Sequence, residues 1–189
     1  KLTITESDEL TVEGTPYSGA YDKAAHGEAA TVSVTDGTTI SYSIDNGETW
    51  SEEIPQITTV GKVTVKVKAE NKNYKAATNE YTLEVTARAV TVNVEGETAT
   101  KTYNGSEQSV TGYKEPTCAD ELYELTNVSY TGDAAHKTAK GTEVGPYMME
   151  LSGADFSNSD DNFAVTFNVK PGKLTITESD ELTVEGTPY

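Results

Sequence analysis

The chain has a single cysteine, Cys118, in 189 residues, so no disulfide can close within it. Cys118 therefore reads as a small, partly buried side chain. Basic residues are scarce: 14 Lys and Arg stand against 31 Asp and Glu, for a formal net charge of -17. Phosphate binding needs clustered cations, so this balance disfavours nucleic acid as a partner. It also excludes attraction to an anionic membrane surface. No apolar run is long enough for a membrane-spanning helix, and no lipidation motif is present. Only two histidines occur, His26 and His136, and neither sits in a zinc-ligand spacing. The strand-to-helix elbow G-x-S-x-G is missing, which removes the commonest frame for a serine nucleophile. Carboxylates are so numerous that no single pair can be singled out for acid–base chemistry. We expect no enzyme and no cofactor.

What is present is repetition. Lys1–Tyr17 (KLTITESDELTVEGTPY) recurs letter for letter as Lys173–Tyr189, a period of 172 residues. Long identical repeats belong to arrays built by stacking or stringing one unit. The chain reads as one period and the start of the next, cut from a longer array, since it opens in mid-repeat without Met.

Each period contains a second, diverged repeat. Thr58–Tyr74 resembles Thr142–Phe156, and Val60-Gly61 lies 84 positions before Val144-Gly145. The same offset matches Val85 with Val169 and Val90 with Leu174. We expect a first module over residues 1–88, a second over 89–172, and the opening of another first module over 173–189.

Both modules carry a β pattern. Val63, Val65 and Val67 alternate with Thr64 and Lys66, and Val165, Phe167 and Val169 alternate with Thr166 and Asn168. Period-two alternation means one buried and one wet face, as in antiparallel sandwiches. Asp36-Gly37, Asn46-Gly47, Asn104-Gly105 and Pro171-Gly172 supply turns between the runs. The one helical stretch expected is a turn or two around Ala119–Leu125. The expected fold is all-β, two tandem Ig-like sandwich modules in an elongated array, with β-grasp-like modules as the alternative. No Gly/Ser-rich or Pro-rich linker separates them, so a fairly stiff string is expected.

With YNG near its start, VG before a strand and a closing TFNV-PGKLTI, the second module resembles the MBG and YDG repeats of bacterial adhesins. The first, with AYDKAAHG, YSIDNGETW and KAENKNY, resembles a related repeat of large surface proteins of gut Firmicutes. The resemblance implies extracellular, cell-surface β domains forming stalks, whose partners are neighbouring repeats of the same chain. It carries no catalytic residues. The alternative readings are a repeated module binding a host glycan or matrix protein, anchored on Trp50 and Tyr42, and a self-assembling extracellular filament in which the repeat end pairs with another chain.

The sharpest local motif is Ser43-Ile-Asp45-Asn-Gly47-Glu-Thr49-Trp50, similar to the Asp-box of sialidases and other carbohydrate-active proteins. Its physics is that of a hairpin: Asp45 accepts backbone N–H groups, Gly47 takes positive φ, and Trp50 packs under the loop. We read it as a folding element, with a sugar-stacking Trp50 as the alternative. The loop Asp155–Asn162 offers Asp155, Asp160 and Asp161 as oxygen ligands for Ca²⁺, against a plain solvated loop. Glu6, Asp8, Glu9 and Glu13, with their copies Glu178, Asp180, Glu181 and Glu185, form a second acidic candidate near a junction. Asn168 is the one last-strand candidate for an isopeptide crosslink, but its register points it outward.

Overall fold

The computed structural model describes residues 1–180. It falls into two compact units. The first is Lys1–Arg88 with Asp161–Phe163, and the second is Ala89–Asp160 with the chain from Ala164 onward. The part of the expected third segment beyond residue 180, with Glu181 and Glu185, lies outside the described residues.

The first unit contains β1 (Val12–Glu13), β2 (Tyr17–Ala20), β3 (Thr31–Val32), β4 (Thr38–Ser43), β5 (Gly61–Asn71) and β6 (Tyr74–Thr86). One sheet runs β2-β6-β5-β4, and β1 pairs with β3 in another. The long β5–β6 hairpin sets the core by its alternation. Val65, Val67 and Ala69 on β5 and Tyr81, Leu83 and Val85 on β6 are all buried. They meet Leu10, Val12 and Ala30 from the β1–β3 side. The chain therefore enters through β1 in one layer and crosses to the other at β2, which lies parallel to the last strand: Tyr17 faces Leu83 and Gly19 faces Val85. Two packed layers with such an entry are the immunoglobulin-type arrangement.

The second unit contains β7 (Arg88–Glu95), β8 (Thr98–Thr102), β9 (Gln108–Thr111), β10 (Thr117–Cys118), β11 (Val128–Tyr130), β12 (Thr138–Gly141), β13 (Gly145–Met148), β14 (Phe156–Asn158), β15 (Phe163–Lys170) and β16 (Lys173–Thr177). Its sheets are β10-β7-β15, β13-β16-β8, β11-β14 and β12-β9. Val90, Val92, Val94, Ala139, Met149, Leu151, Leu174 and Ile176 are buried. Tyr113, Tyr130 and Phe167 gather round Phe156 at ring separations of 5.1 to 5.6 Å. Cys118 is half-buried. The expected helix around Ala119–Leu125 is instead one 3₁₀ turn, Leu125–Asn127, and no α-helix occurs among the described residues. The β-grasp alternative lacks the helix it would need to cover its sheet. The all-β, sandwich-type expectation is what the sheets show.

The two units share a pairing pattern in which the closing strand differs from the one the sequence offset matched. On β6, Gly61 faces Val85 and Val63 faces Leu83. On β16, Gly145 faces Ile176 and Tyr147 faces Leu174. The parallel neighbour repeats the pattern, with Ala99 beside Leu174 and Lys101 beside Ile176. Val85 thus corresponds to Ile176 rather than to Val169, and Leu83, not Val90, corresponds to Leu174. The closing strand of the second unit is KLTIT, the opening residues of the next copy. VTFNV is an additional strand, β15, placed against β7.

Candidate functional site

The Asp-box residues are gathered by the loop that follows β4. Tyr42 and Ser51 close it with reciprocal backbone bonds, Tyr42 N–H to Ser51 O at 2.7 Å and Ser51 N–H to Tyr42 O at 2.9 Å. Ser43 is buried. Its hydroxyl donates to Asp45 Oδ1 at 2.6 Å and accepts the Gly47 N–H at 2.8 Å. Asp45 in turn accepts the Thr49 N–H on Oδ1 at 2.9 Å and the Thr49 hydroxyl on Oδ2 at 2.5 Å. The chain reverses where Asn46 and Gly47 take φ of 63° and 94°, a conformation open to Asn and Gly. Hydrogen bonds from the Ser43 hydroxyl, then from the Thr49 hydroxyl and N–H, hold the Asp45 carboxyl far below the usual carboxylate range.

Trp50 lies over this loop. Its indole N–H donates to Gly47 O at 3.1 Å, and the Lys68 ammonium stands 4.9 Å from the ring centroid. Trp50 as a residue remains 36% exposed. Exposed Ile44 and Ile54 join it around a surface cavity of about 420 Å³. Tyr42, the other expected anchor, is buried, and its hydroxyl accepts the Ala30 N–H at 2.9 Å. It belongs to the core of the first unit.

The three proposed calcium ligands are not brought together. Asp155 is buried and fully engaged. Oδ1 meets His136 Nδ1 at 2.6 Å, and Oδ2 accepts the Ser152 N–H at 2.8 Å and the Ser152 hydroxyl at 3.0 Å. It closes a capping box on the 3₁₀ turn Gly153–Asp155. Asp160 sits in a tight turn with Asn158, through Asn158 Nδ2–H to Asp160 O at 2.7 Å. Asp161 begins the short segment grouped with the first unit. In the other acidic candidate, Asp8 pairs with Lys75 at 2.6 Å. Among the described residues no three acidic, His or Cys side chains form a metal-ready group. Asn168 points outward as its register requires, donating from Nδ2 to Asn93 Oδ1 at 2.8 Å on an exposed face.

Sequence reasoning missed two His–Asp pairs. In the first unit His26 Nε2 lies 2.9 Å from Asp22 Oδ1, and the imidazole stacks on Tyr17 at 3.9 Å. Asp22-x-x-x-His26 was a visible spacing. In the second unit the hydrogen bond that Asp155 accepts from His136 raises the His136 pKa, and the same bond lowers that of Asp155. The Ser152-x-x-Asp155 capping pattern was the one signal that Asp155 was committed to its own turn.

No curated protein matches this chain. Among solved structures, it is similar to the Bacteroides ovatus mixed-linkage glucan utilization locus protein SGBP-B, solved with a mixed-linkage heptasaccharide. That match has 15% identity and a TM-score of 0.35 over 89% of this chain and 48% of the other. It is also similar to the N-terminal four Ig domains of Dscam1 isoform 6.44, at 11% identity and a TM-score of 0.31 over 94% of this chain and 45% of the other. The chain spans less than half the length of either, and the fold assignment rests on its own strand pairing. The MBG domain model matches residues 90–178. That span begins within β7 and runs one residue past β16, taking in the closing strand that the sequence repeat had placed in the next copy. Residues 90–178 therefore match the MBG-type repeat that the sequence of the second module resembles.

Proposed function

We propose that this chain is a structural stalk repeat of a bacterial cell-surface or secreted adhesin, in which tandem β modules hold a functional tip away from the cell. The observation that carries this reading is the shared strand: the residues that open each 172-residue period also form β16 of the unit before it. Only six residues, 6–11 of each copy and without Gly or Pro, then separate the shared strand from β1 of the next copy. Within the period the connection is shorter still, a single residue, since β6 ends at Thr86 and β7 starts at Arg88. Short connections limit hinge freedom, and an acidic surface of one sign repels its neighbours along the array. The location is extracellular on this reading. No helix among the described residues is long and apolar enough to cross a membrane. The mechanism is mechanical and needs neither a catalytic group nor a cofactor.

A second reading, a repeated glycan- or matrix-protein-binding module, draws on the exposed Ile44, Trp50 and Ile54. Tyr42 no longer contributes to it, and the engaged indole N–H and the overlying Lys68 leave Trp50 one free face.

Small-angle X-ray scattering on chains of one and two periods tests the stalk. A maximum dimension that nearly doubles in dilute solution supports it. A compact or freely jointed two-period chain overturns it.

A further inference from the structure

The same five residues occur twice in this chain in opposite states. At the end, Lys173–Thr177 is the central strand of β13-β16-β8, antiparallel to β13 on one edge and parallel to β8 on the other. Leu174 and Ile176 there are 0% and 1% exposed. At the start, Lys1–Thr5 forms no strand, and Leu2 and Ile4 are 86% and 87% exposed. Two large aliphatic side chains of alternating register thus stand in solvent, on a sequence whose seat is known.

We propose that Lys1–Thr5 is a donor strand, whose partner is the second unit of another copy of this repeat. It enters between β13 and β8 and takes the place that β16 takes here. The register is fixed by alternation. Leu2 falls where Leu174 lies, across from Tyr147, and Ile4 where Ile176 lies, across from Gly145. A slip by one residue would turn Lys and Thr inward and is rejected by the core. Because the inserted strand pairs on both edges, its backbone gains two ladders rather than the one of ordinary edge addition. Where a copy precedes in the same chain, the donation is made within the chain. Between separate chains, the tethered β16 and the incoming Lys1–Thr5 are chemically identical, so exchange costs only the entropy of association. That is the condition for swapping an element between protomers. It produces a head-to-tail contact, because the donated segment and the accepting gap are different surfaces. The inference stands whether the array serves as a stalk or not.

The test uses the whole 189-residue chain, unfolded and refolded at rising concentration and sized by light scattering. Wild type is expected to form head-to-tail oligomers in a share that rises with concentration. The Leu2→Asp/Ile4→Asp chain, altered only at exposed positions, is expected to melt like wild type and stay monomeric. A labelled peptide of the Lys173–Asp180 sequence, refolded in excess with this double variant, is expected to be retained through gel filtration. The same peptide carrying Leu174→Asp and Ile176→Asp is expected to be lost. The proposal is overturned if wild type stays monomeric and no peptide is retained. It is equally overturned if the double variant oligomerises like wild type, or if both peptides are retained alike.

Discussion

His136 Nδ1 lies 2.6 Å from Oδ1 of the buried Asp155, and this contact joins the β11–β12 loop to the turn before β14. Asp155 also receives the Thr131 and Gly132 N–H groups on its backbone carbonyl. One carboxylic acid residue therefore holds two loops of the second unit in place.

The pair makes stability depend on pH in a defined direction. The His136 pKa is raised in the fold, so its contribution is fully present below the ordinary imidazole value of 6.5 and is lost as pH rises through the raised value. The Asp155 pKa is lowered, so its contribution is present above the ordinary carboxylate value of 3.8 and is lost as pH falls through the lowered value. The second unit is expected to melt highest between those two values. His136→Gln should flatten the profile on its alkaline side. Calorimetry from pH 4 to 9 reads this, and an unchanged profile in His136→Gln contradicts it.

Ser43→Ala should loosen the Asp-box. It removes a buried hydroxyl that both donates to Asp45 and accepts from Gly47. A cost of about 1–2 kcal/mol is expected, as for other buried hydrogen-bonding groups. Trp50 is the chain's only tryptophan, so its fluorescence reports the first unit alone. A melting curve that matches wild type would show the loop to be held by other means.

Trp50→Ala should cost about 2 kcal/mol, less than a fully buried tryptophan, because one face of the loop's lid is already wet. Its melting is followed by circular dichroism. A loss near 5 kcal/mol would mean a core role, and no loss would leave Trp50 free for ligand contact.

Tyr81→Phe is expected to raise stability by about 1 kcal/mol. The Tyr81 hydroxyl is buried without a hydrogen-bond partner among the described residues, and burial pushes its pKa up. The ring itself is needed, since it packs over Gly14, where a Cβ would meet Tyr81 Cδ1 at 1.9 Å. Denaturant titration of Tyr81→Phe checks the gain, and destabilisation would reveal a partner for the hydroxyl.

Sequence disclosed most where contacts are local. The Asp-box was legible because Ser43, Asp45, Gly47, Thr49 and Trp50 bind one another within eight positions. Strand character was legible from alternation, as in Val63, Val65 and Val67. The end of the second unit was not. Val165–Val169 and Lys173–Thr177 alternate alike, and only the pairing of Gly145 with Ile176 chooses between them. Asp155 was misplaced for the same reason: its imidazole partner is 19 residues away, a distance no local pattern spans.

The shared strand is the claim on which the account turns, and backbone hydrogen exchange measures it directly. Thr3–Thr5 and Thr175–Thr177 have the same sequence and so nearly the same intrinsic exchange rates. In the monomer, Thr175–Thr177 are expected to exchange as slowly as the core amides of β7, and Thr3–Thr5 as fast as an unfolded peptide. Equally fast exchange at both places would contradict it.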